Sequence, residues 1–298
     1  MGRELGSVTF CLAVSPVAVL LVSVSHHSIR ILSGVPDAMP SGLTTAFRTL
    51  TILPVPGRDA LEPAASLPFF PVVGGVLGLM LWGISLGNGI FPDGGWPAGV
   101  AALMLMAGSL LTRGLHLDGF ADFTDAVGGA WDRERRLAIM KDTHLGAFGA
   151  TALVLLLLAK WIALTRLVSS GTAVWVMLVL AVSRTMQVDL AVRLPYARCE
   201  RGTGHPYVTG AATWHLVVAM GAAVVLALGG YGPLGLGVLG VGVGVTRIFG
   251  AWCRSRLGGI TGDLLGAGNE LVELCLLFLL AAPGPRLLAY SGWAWITS

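Results

Sequence analysis

The chain has 298 residues, 55% hydrophobic and only 12% charged, with a mean hydropathy of +0.79 and a formal net charge of +3. Soluble domains carry about 25% charged residues, so this composition points to a polytopic membrane protein. The small net charge, with no basic patch interleaved with aromatics, excludes a nucleic-acid partner, and Cys11, Cys199, Cys253 and Cys275, which form no CxxC, exclude a thiolate metal site or a disulfide framework.

In chain order, residues 1–40 form an apolar extension whose role stays open. Val8 to Val24 is apolar but interrupted by Pro16. It reads as a short spanning helix, as a signal-like segment without a clear cleavage site, or as sequence upstream of a start at Met39. Residues 41–298 read as one membrane-embedded domain. From Gly42 onward, Leu43, Phe47 and Leu50 share a helical face with Arg48 off it, which predicts an interfacial helix ending at Pro54. Apolar segments follow at 69–90, 98–112, 148–165, 173–192, 214–229, 233–250 and 270–282, with a weak tail at 287–296. The expected fold is therefore all-α, a polytopic integral membrane helix bundle. It has about seven spans, or eight with the N-terminal segment, and short helices between spans carry the polar motifs.

The loops set the orientation. Lys and Arg number zero in 91–97, five in 113–147, one in 166–172, three in 193–213, none in 230–232 and two in 251–269. High and low counts alternate, which places 113–147, 193–213 and 251–269 on the cytoplasmic side. The polar motifs then fall on one face of the membrane.

The richest of them is Leu115 to Leu145. Asp118, Asp122 and Asp125 stand at i, i+4 and i+7, within an arc of about 60° on one helical face. Carboxylates so placed repel, and a Mg²⁺ held by carboxylates and substrate phosphates relieves the repulsion. Gly119 and Ala121 leave room beside them. The plainer alternative is a solvated acidic helix start. Gly128-Gly129 marks a break, and 130–141 reads as a separate short helix. Arg133, Arg135 and Arg136 are able to fork onto phosphates, but surface pairing with Asp132 and Glu134 is the favoured reading. Lys141 and Asp142 are stronger site candidates, as is His116, two residues before Asp118.

A second motif runs from Gly258 to Asp263 and on through Gly268 to Glu273. Its glycines suit backbone N–H groups approaching an anion, without the Lys-Ser/Thr pair of a P-loop. Glu270 and Glu273 share a face. Glu273 precedes LCLLFLL, at a depth where a carboxylate is expensive unless it meets a cation or a polar cavity. Arg184, Asp189 and Arg247 lie inside apolar segments and are site candidates by depth. A local Arg184–Asp189 pair is the modest alternative, and Lys160 and Arg166 read as snorkelling side chains.

These motifs resemble the cobalamin synthase family, the adenosylcobinamide-GDP ribazoletransferases. The carrying residues are FRTLTILPVP from Phe47, FPVVG from Phe70, LHLDGFADFTDAVGG from Leu115, DRERRLAIMKD from Asp132, Gly146 to Lys160, Leu194 to Arg198 with Gly202 to Gly204, and GITGDLLGAGNELVE from Gly259. The resemblance spans about residues 42–282. Phe123-Thr124-Asp125-Ala126 departs from a more usual Thr-Ala-Asp-Gly, and Ile260 stands where an aromatic is commoner; neither departure removes a charge.

The resemblance implies a Mg²⁺-dependent transferase of substituted phosphate groups that completes adenosylcobalamin assembly. The 3′-hydroxyl of α-ribazole, or of its 5′-phosphate, attacks the phosphorus on the cobinamide side of adenosylcobinamide-GDP, and GMP leaves. The resemblance supports the site and leaves the division of labour open; we assign Asp118, Asp122 and Asp125 to Mg²⁺, with Asp142, Asp263 or Glu270 as further catalytic carboxylates, one of the set a proton acceptor. Arg113, Lys141 and Arg184 fall to the pyrophosphate, and His116, Gly262, Asn269 and Glu273 to substrate binding. The implied setting is the bacterial inner membrane, with the site facing the cytoplasm and other cobalamin-assembly enzymes as partners. A CDP-alcohol phosphotransferase is the nearest alternative, but its DGxxAR…GxxxDxxxD pattern does not match. A transporter, suggested by Arg184 and Arg247, lacks visible repeats and has its acids clustered at one face.

Overall fold

A computed structural model describes residues 8–15, 18–25, 28–33, 39–92, 95–200, 202–290 and 292. The described residues of the N-terminal extension do not form the spanning helix offered as one reading. Their backbone pairs as strands β1 (Val8–Ser15), β2 (Ala18–Ser25) and β3 (Ser28–Ser33), antiparallel and in the order β1-β2-β3. Runs rich in Val, interrupted in sequence by Pro16, suit extended chain better than helix.

From residue 39 onward the chain is helical. Helix α1 (Ser41–Leu50) stops at Thr51, three residues before the predicted Pro54, where the backbone turns extended and the Thr51 hydroxyl donates to the Phe47 carbonyl at 2.7 Å. Its Ala46, Phe47 and Leu50 are buried, and it packs on a 3₁₀ turn, Pro63–Phe69, that leads into α2 (Phe70–Leu86). Helix α3 (Pro97–Leu111) bends by 89° into α4 (Leu115–Gly129) at Arg113 and Gly114, both at positive φ. Then come α5 (Arg133–Ile139), α6 (Ala147–Ser169), α7 (Trp175–Arg193), the single turn α8 (His205–Thr209), α9 (Thr213–Leu257) and α10 (Gly262–Ala281).

Among the described residues five helices are long and apolar enough to cross a membrane, and six if α3 and α4 count as one bent span. Helix α9 contains a break at Gly232, whose φ of 68° and ψ of −159° suit glycine alone. A Cβ on Gly235 would lie 2.4 Å from the Ala227 carbonyl oxygen. Residues eight apart in a continuous helix are separated by about 12 Å, so the chain reverses here and Pro233 opens a second arm. The predicted segments 214–229 and 233–250 are these two arms. Each of the seven apolar segments is thus helical.

Helix α7 is the hub. It is buried along nearly its whole length, and α2, α9 and α10 pack around it. The α2 contact is close enough that a Cβ on Gly74 would sit 2.3 Å from the Leu180 carbonyl oxygen, the kind of backbone approach through which bilayer helices associate. Helix α4 turns away from α3 and lies across the start of α10, outside the five spanning helices.

Candidate active site

Two stretches far apart in sequence meet where α4 crosses the N-terminal turn of α10. A Cβ on Gly119 would lie 2.5 Å from the Asp263 carbonyl oxygen, so glycine is what lets Asp118, Asp122 and Asp263 converge. The predicted coming together of the first acidic motif and the Asp263 region is therefore present. Thr261 caps α10 by accepting from the Leu264 N–H at 3.3 Å and also donates to Asp263. Arg198 donates to Asp263 Oδ2 at 2.8 Å. The segment carrying Arg198 is held by a short parallel bridge, Tyr196 with Ile260.

Burial, then the neighbouring charges of Asp118 and Asp263, push the Asp122 carboxyl up from an ordinary 3.8 to about 7. Crowding of negative charge on this face is thus a property of the structure, as the i, i+4, i+7 spacing predicts.

A cleft of about 400 Å³ opens beside these acids. Its lining includes Arg113, His116, Asp118, Gly262, Asp263 and Gly266, with Thr49, Gln187, Thr203, Gly204 and Tyr207 from other elements. A second cavity of about 430 Å³ shares Arg113, Leu115 and Asp118 with the first and continues along Ala121, Leu145 and Leu153. Asp118 therefore stands between two openings of ligand size.

The remaining predicted site residues go elsewhere. Asp125 is buried, and its two carboxylate oxygens accept from the N–H groups of Gly146 and Gly149, each at 2.8 Å, so it caps the start of α6. Lys141 and Asp142 are exposed and do not line the cleft. Lys141 pairs with Glu200, and Asp142 accepts from His144, whose hydrogen bond holds the Asp142 carboxyl below its usual range. Arg133 is more than a partner for Glu134. It donates to the carbonyls of Leu257 at 2.7 Å and Ala197 at 2.8 Å, which ties α5 to the two loops flanking Asp263.

Lys160, Arg184, Asn269, Glu270 and Glu273 form one buried cluster beneath the cleft. Lys160 does not snorkel: it is 5% exposed and its ammonium reaches Glu270 at 2.5 Å and Glu273 at 2.7 Å. Arg184 pairs with Glu273 at 2.5 Å and donates to Asn269, and Asn269 donates to Glu273 at 2.9 Å. The alternative of a local Arg184–Asp189 pair does not hold; Asp189 binds Arg193 and Arg247. Two cations facing two carboxylates balance the cluster, which is what burial at this depth demands. His116 lines both the cleft and a small cavity of about 60 Å³ above this cluster.

Sequence reasoning missed Arg198, Thr203, Gly204, Tyr207 and Gln187. The first three lie in or beside the 194–204 motif, which was visible in the sequence without a role. Tyr207, hydrogen-bonded to the Thr49 hydroxyl at 2.7 Å, gave no signal.

Among the described residues no group of three or more His, Cys, Asp or Glu side chains is gathered tightly enough to hold a metal alone. Mg²⁺ characteristically takes one or two carboxylates plus substrate phosphates and water, and Asp118 and Asp122 beside Asp263 fit that need.

The family model described as Cobalamin-5-phosphate synthase matches residues 42–281. An adenosylcobinamide-GDP ribazoletransferase of Chlorobaculum parvum is 46% identical over 247 residues, covering 82% of this chain and 96% of the relative. A protein of that name from Chlorobium phaeobacteroides is 44% identical, covering 78% and 94%, and one from Syntrophobacter fumaroxidans is 42% identical, covering 79% and 95%. No solved structure matches.

Proposed function

We infer the activity from two premises: this chain belongs to the cobalamin-5-phosphate synthase family, and Asp118 and Asp263 line a cleft of ligand size. The reaction is that of an adenosylcobinamide-GDP ribazoletransferase. The 3′-hydroxyl of α-ribazole, or of α-ribazole 5′-phosphate, bonds to the phosphorus on the cobinamide side. The bond from that phosphorus to the GMP oxygen breaks, and adenosylcobalamin or its 5′-phosphate leaves with GMP.

The observation that carries this reading is the meeting of Asp118 on α4 with Asp263 on α10 at the wall of the cleft, with Asp122 one turn along α4 close enough to feel both charges. A Mg²⁺ held there would supply positive charge against the pyrophosphate and the departing phosphate. Asp118 and Asp122 would hold it, with Asp263 alongside. A carboxylate of this set left free of the ion would accept the proton released by the ribose hydroxyl. Arg113 supplies positive charge at the cleft wall, and Arg198 supplies it against Asp263. The two cavities that meet at Asp118 give a donor and an acceptor separate entries to one reacting phosphorus. Asp125 and the Lys160 cluster shape the site without touching substrate.

The alternating charge of the loops supports a cytoplasmic site in the inner membrane. The transporter reading loses its motive, because Arg184 and Arg247 are both paired with carboxylates. The test is turnover by the purified protein in liposomes with adenosylcobinamide-GDP and α-ribazole. Adenosylcobalamin and GMP in equal amounts, dependent on Mg²⁺, is the expected result. CMP release from a CDP-alcohol, with no corrinoid product, would replace this reading with the lipid-enzyme alternative.

A further inference from the structure

On the far side of α7 from the catalytic cleft, a cavity of about 520 Å³ opens between α7 and α9. It shares no lining residue with the cleft, and the proposed reaction does not use it. Its charged residues are Arg193, Arg247, Arg254 and Asp189. Asp189 is 1% exposed and accepts from Arg193 Nε at 2.7 Å and from Arg247 Nη2 at 3.1 Å, both on one oxygen. It fixes two guanidinium groups over the cavity while neutralising only one of three positive charges. Each guanidinium carries five N–H donors, so Arg193 and Arg247 keep most of theirs for a ligand. Arg254, two turns beyond Arg247 on the same face of α9, has no carboxylate partner among the described residues. Thr213, at the first turn of α9, adds the positive end of a helix dipole.

The surroundings say which anion this is. The cavity lies between two helices long and apolar enough to span. Next in sequence to the lining residues Thr213, Leu216 and Arg247, α9 exposes Trp214, Val217 and Ile248. A charged pocket on helices that also expose large apolar side chains matches a molecule with a phosphate head and hydrocarbon tails. We propose that the α7–α9 cavity binds the phosphate headgroup of an anionic glycerophospholipid, with Arg193, Arg247 and Arg254 as its ligands and the Trp214–Ile248 flank against its acyl chains.

The experiment uses the full chain, purified in detergent, loaded with phosphatidylglycerol or phosphatidylcholine and examined by native mass spectrometry. The expected result is retention of phosphatidylglycerol over phosphatidylcholine, lowered about fivefold in Arg254→Gln and again in Arg247→Gln/Arg254→Gln. Arg256→Gln, which removes a charge from the same helix end outside the cavity, should leave retention unchanged. Arg254 makes no ion pair among the described residues, so the single variant tests the site without disturbing a structural contact. Equal retention of the two lipids by the wild type, or a loss as large in Arg256→Gln, overturns the proposal. Displacement of phosphatidylglycerol by millimolar inorganic phosphate would assign the cavity to a soluble phosphate and equally overturn it. The outcome is independent of corrinoid turnover.

Discussion

Replacing Asp122 by Asn should make the ligand-free protein more stable while abolishing its activity. In the fold the Asp122 carboxyl rises from 3.8 to about 7, because burial and the charges of Asp118 and Asp263 disfavour its ionised form. A raised folded-state pKa means that ionisation opposes folding. The penalty is absent below about pH 4, grows between pH 4 and 7, and is complete above 7. At about 1.4 kcal/mol per pH unit the ceiling is about 4 kcal/mol. The side chain is only half-buried, however, and screening by water reduces the effect to about 1–2 kcal/mol. At pH 8 and without divalent ions, Asp122→Asn should therefore melt higher than wild type, by on the order of 4 °C. The gain should vanish near pH 4.5. Millimolar Mg²⁺ should raise the wild-type melting temperature and close the gap, since a bound cation relieves the same repulsion. The assay is thermal melting in detergent across pH, with and without Mg²⁺. A variant no more stable than wild type at pH 8, or a gain that persists at pH 4.5, would refute the electrostatic reasoning.

Other substitutions separate the parts of the site. Asp118→Asn should insert normally yet lose Mg²⁺-dependent turnover, measured as adenosylcobalamin formation in liposomes. Asp125→Ala should instead cost about 1–2 kcal/mol of stability through lost capping of α6, with the Mg²⁺ concentration for half-maximal turnover unchanged. Gly119→Ala drives a Cβ against the Asp263 carbonyl and should lower turnover about tenfold or more in a protein that still purifies folded. Lys160→Met strands Glu270 and Glu273 with only Arg184 between them and should destabilise by about 3–5 kcal/mol, seen as loss of folded yield. Adding Glu270→Gln to it should recover part of that yield.

The parts legible in the sequence were those governed by local pattern. Long apolar runs gave the helices, including both arms of α9, and helical spacing put Asp118 and Asp122 on one face. What required the fold was the partner of each buried charge. Lys160 sits at a position where a long cation commonly reaches for the headgroups. Only the packing of α6 on α10 shows that it faces two glutamates 110 and 113 residues away. Asp125 shares a face with Asp118 and Asp122 by spacing. Yet α6 begins directly opposite it, and helix-terminal N–H groups bond both of its oxygens. Asp189 sits close to Arg184 in sequence, but i+5 places the two on different sides of α7, whereas Arg193 at i+4 is in reach. Tyr207 enters the cleft through the Thr49 hydroxyl, a contact across 158 residues that no spacing rule anticipates.

The claim that side chains of α4 and α10 jointly hold a divalent ion is tested most directly by Mn²⁺ in place of Mg²⁺, followed by electron paramagnetic resonance with adenosylcobinamide-GDP present. The account predicts a bound Mn²⁺ signal with phosphorus coupling that is lost in Asp118→Asn and in Asp122→Asn and weakened in Asp263→Asn. A signal unchanged in all three variants would contradict it.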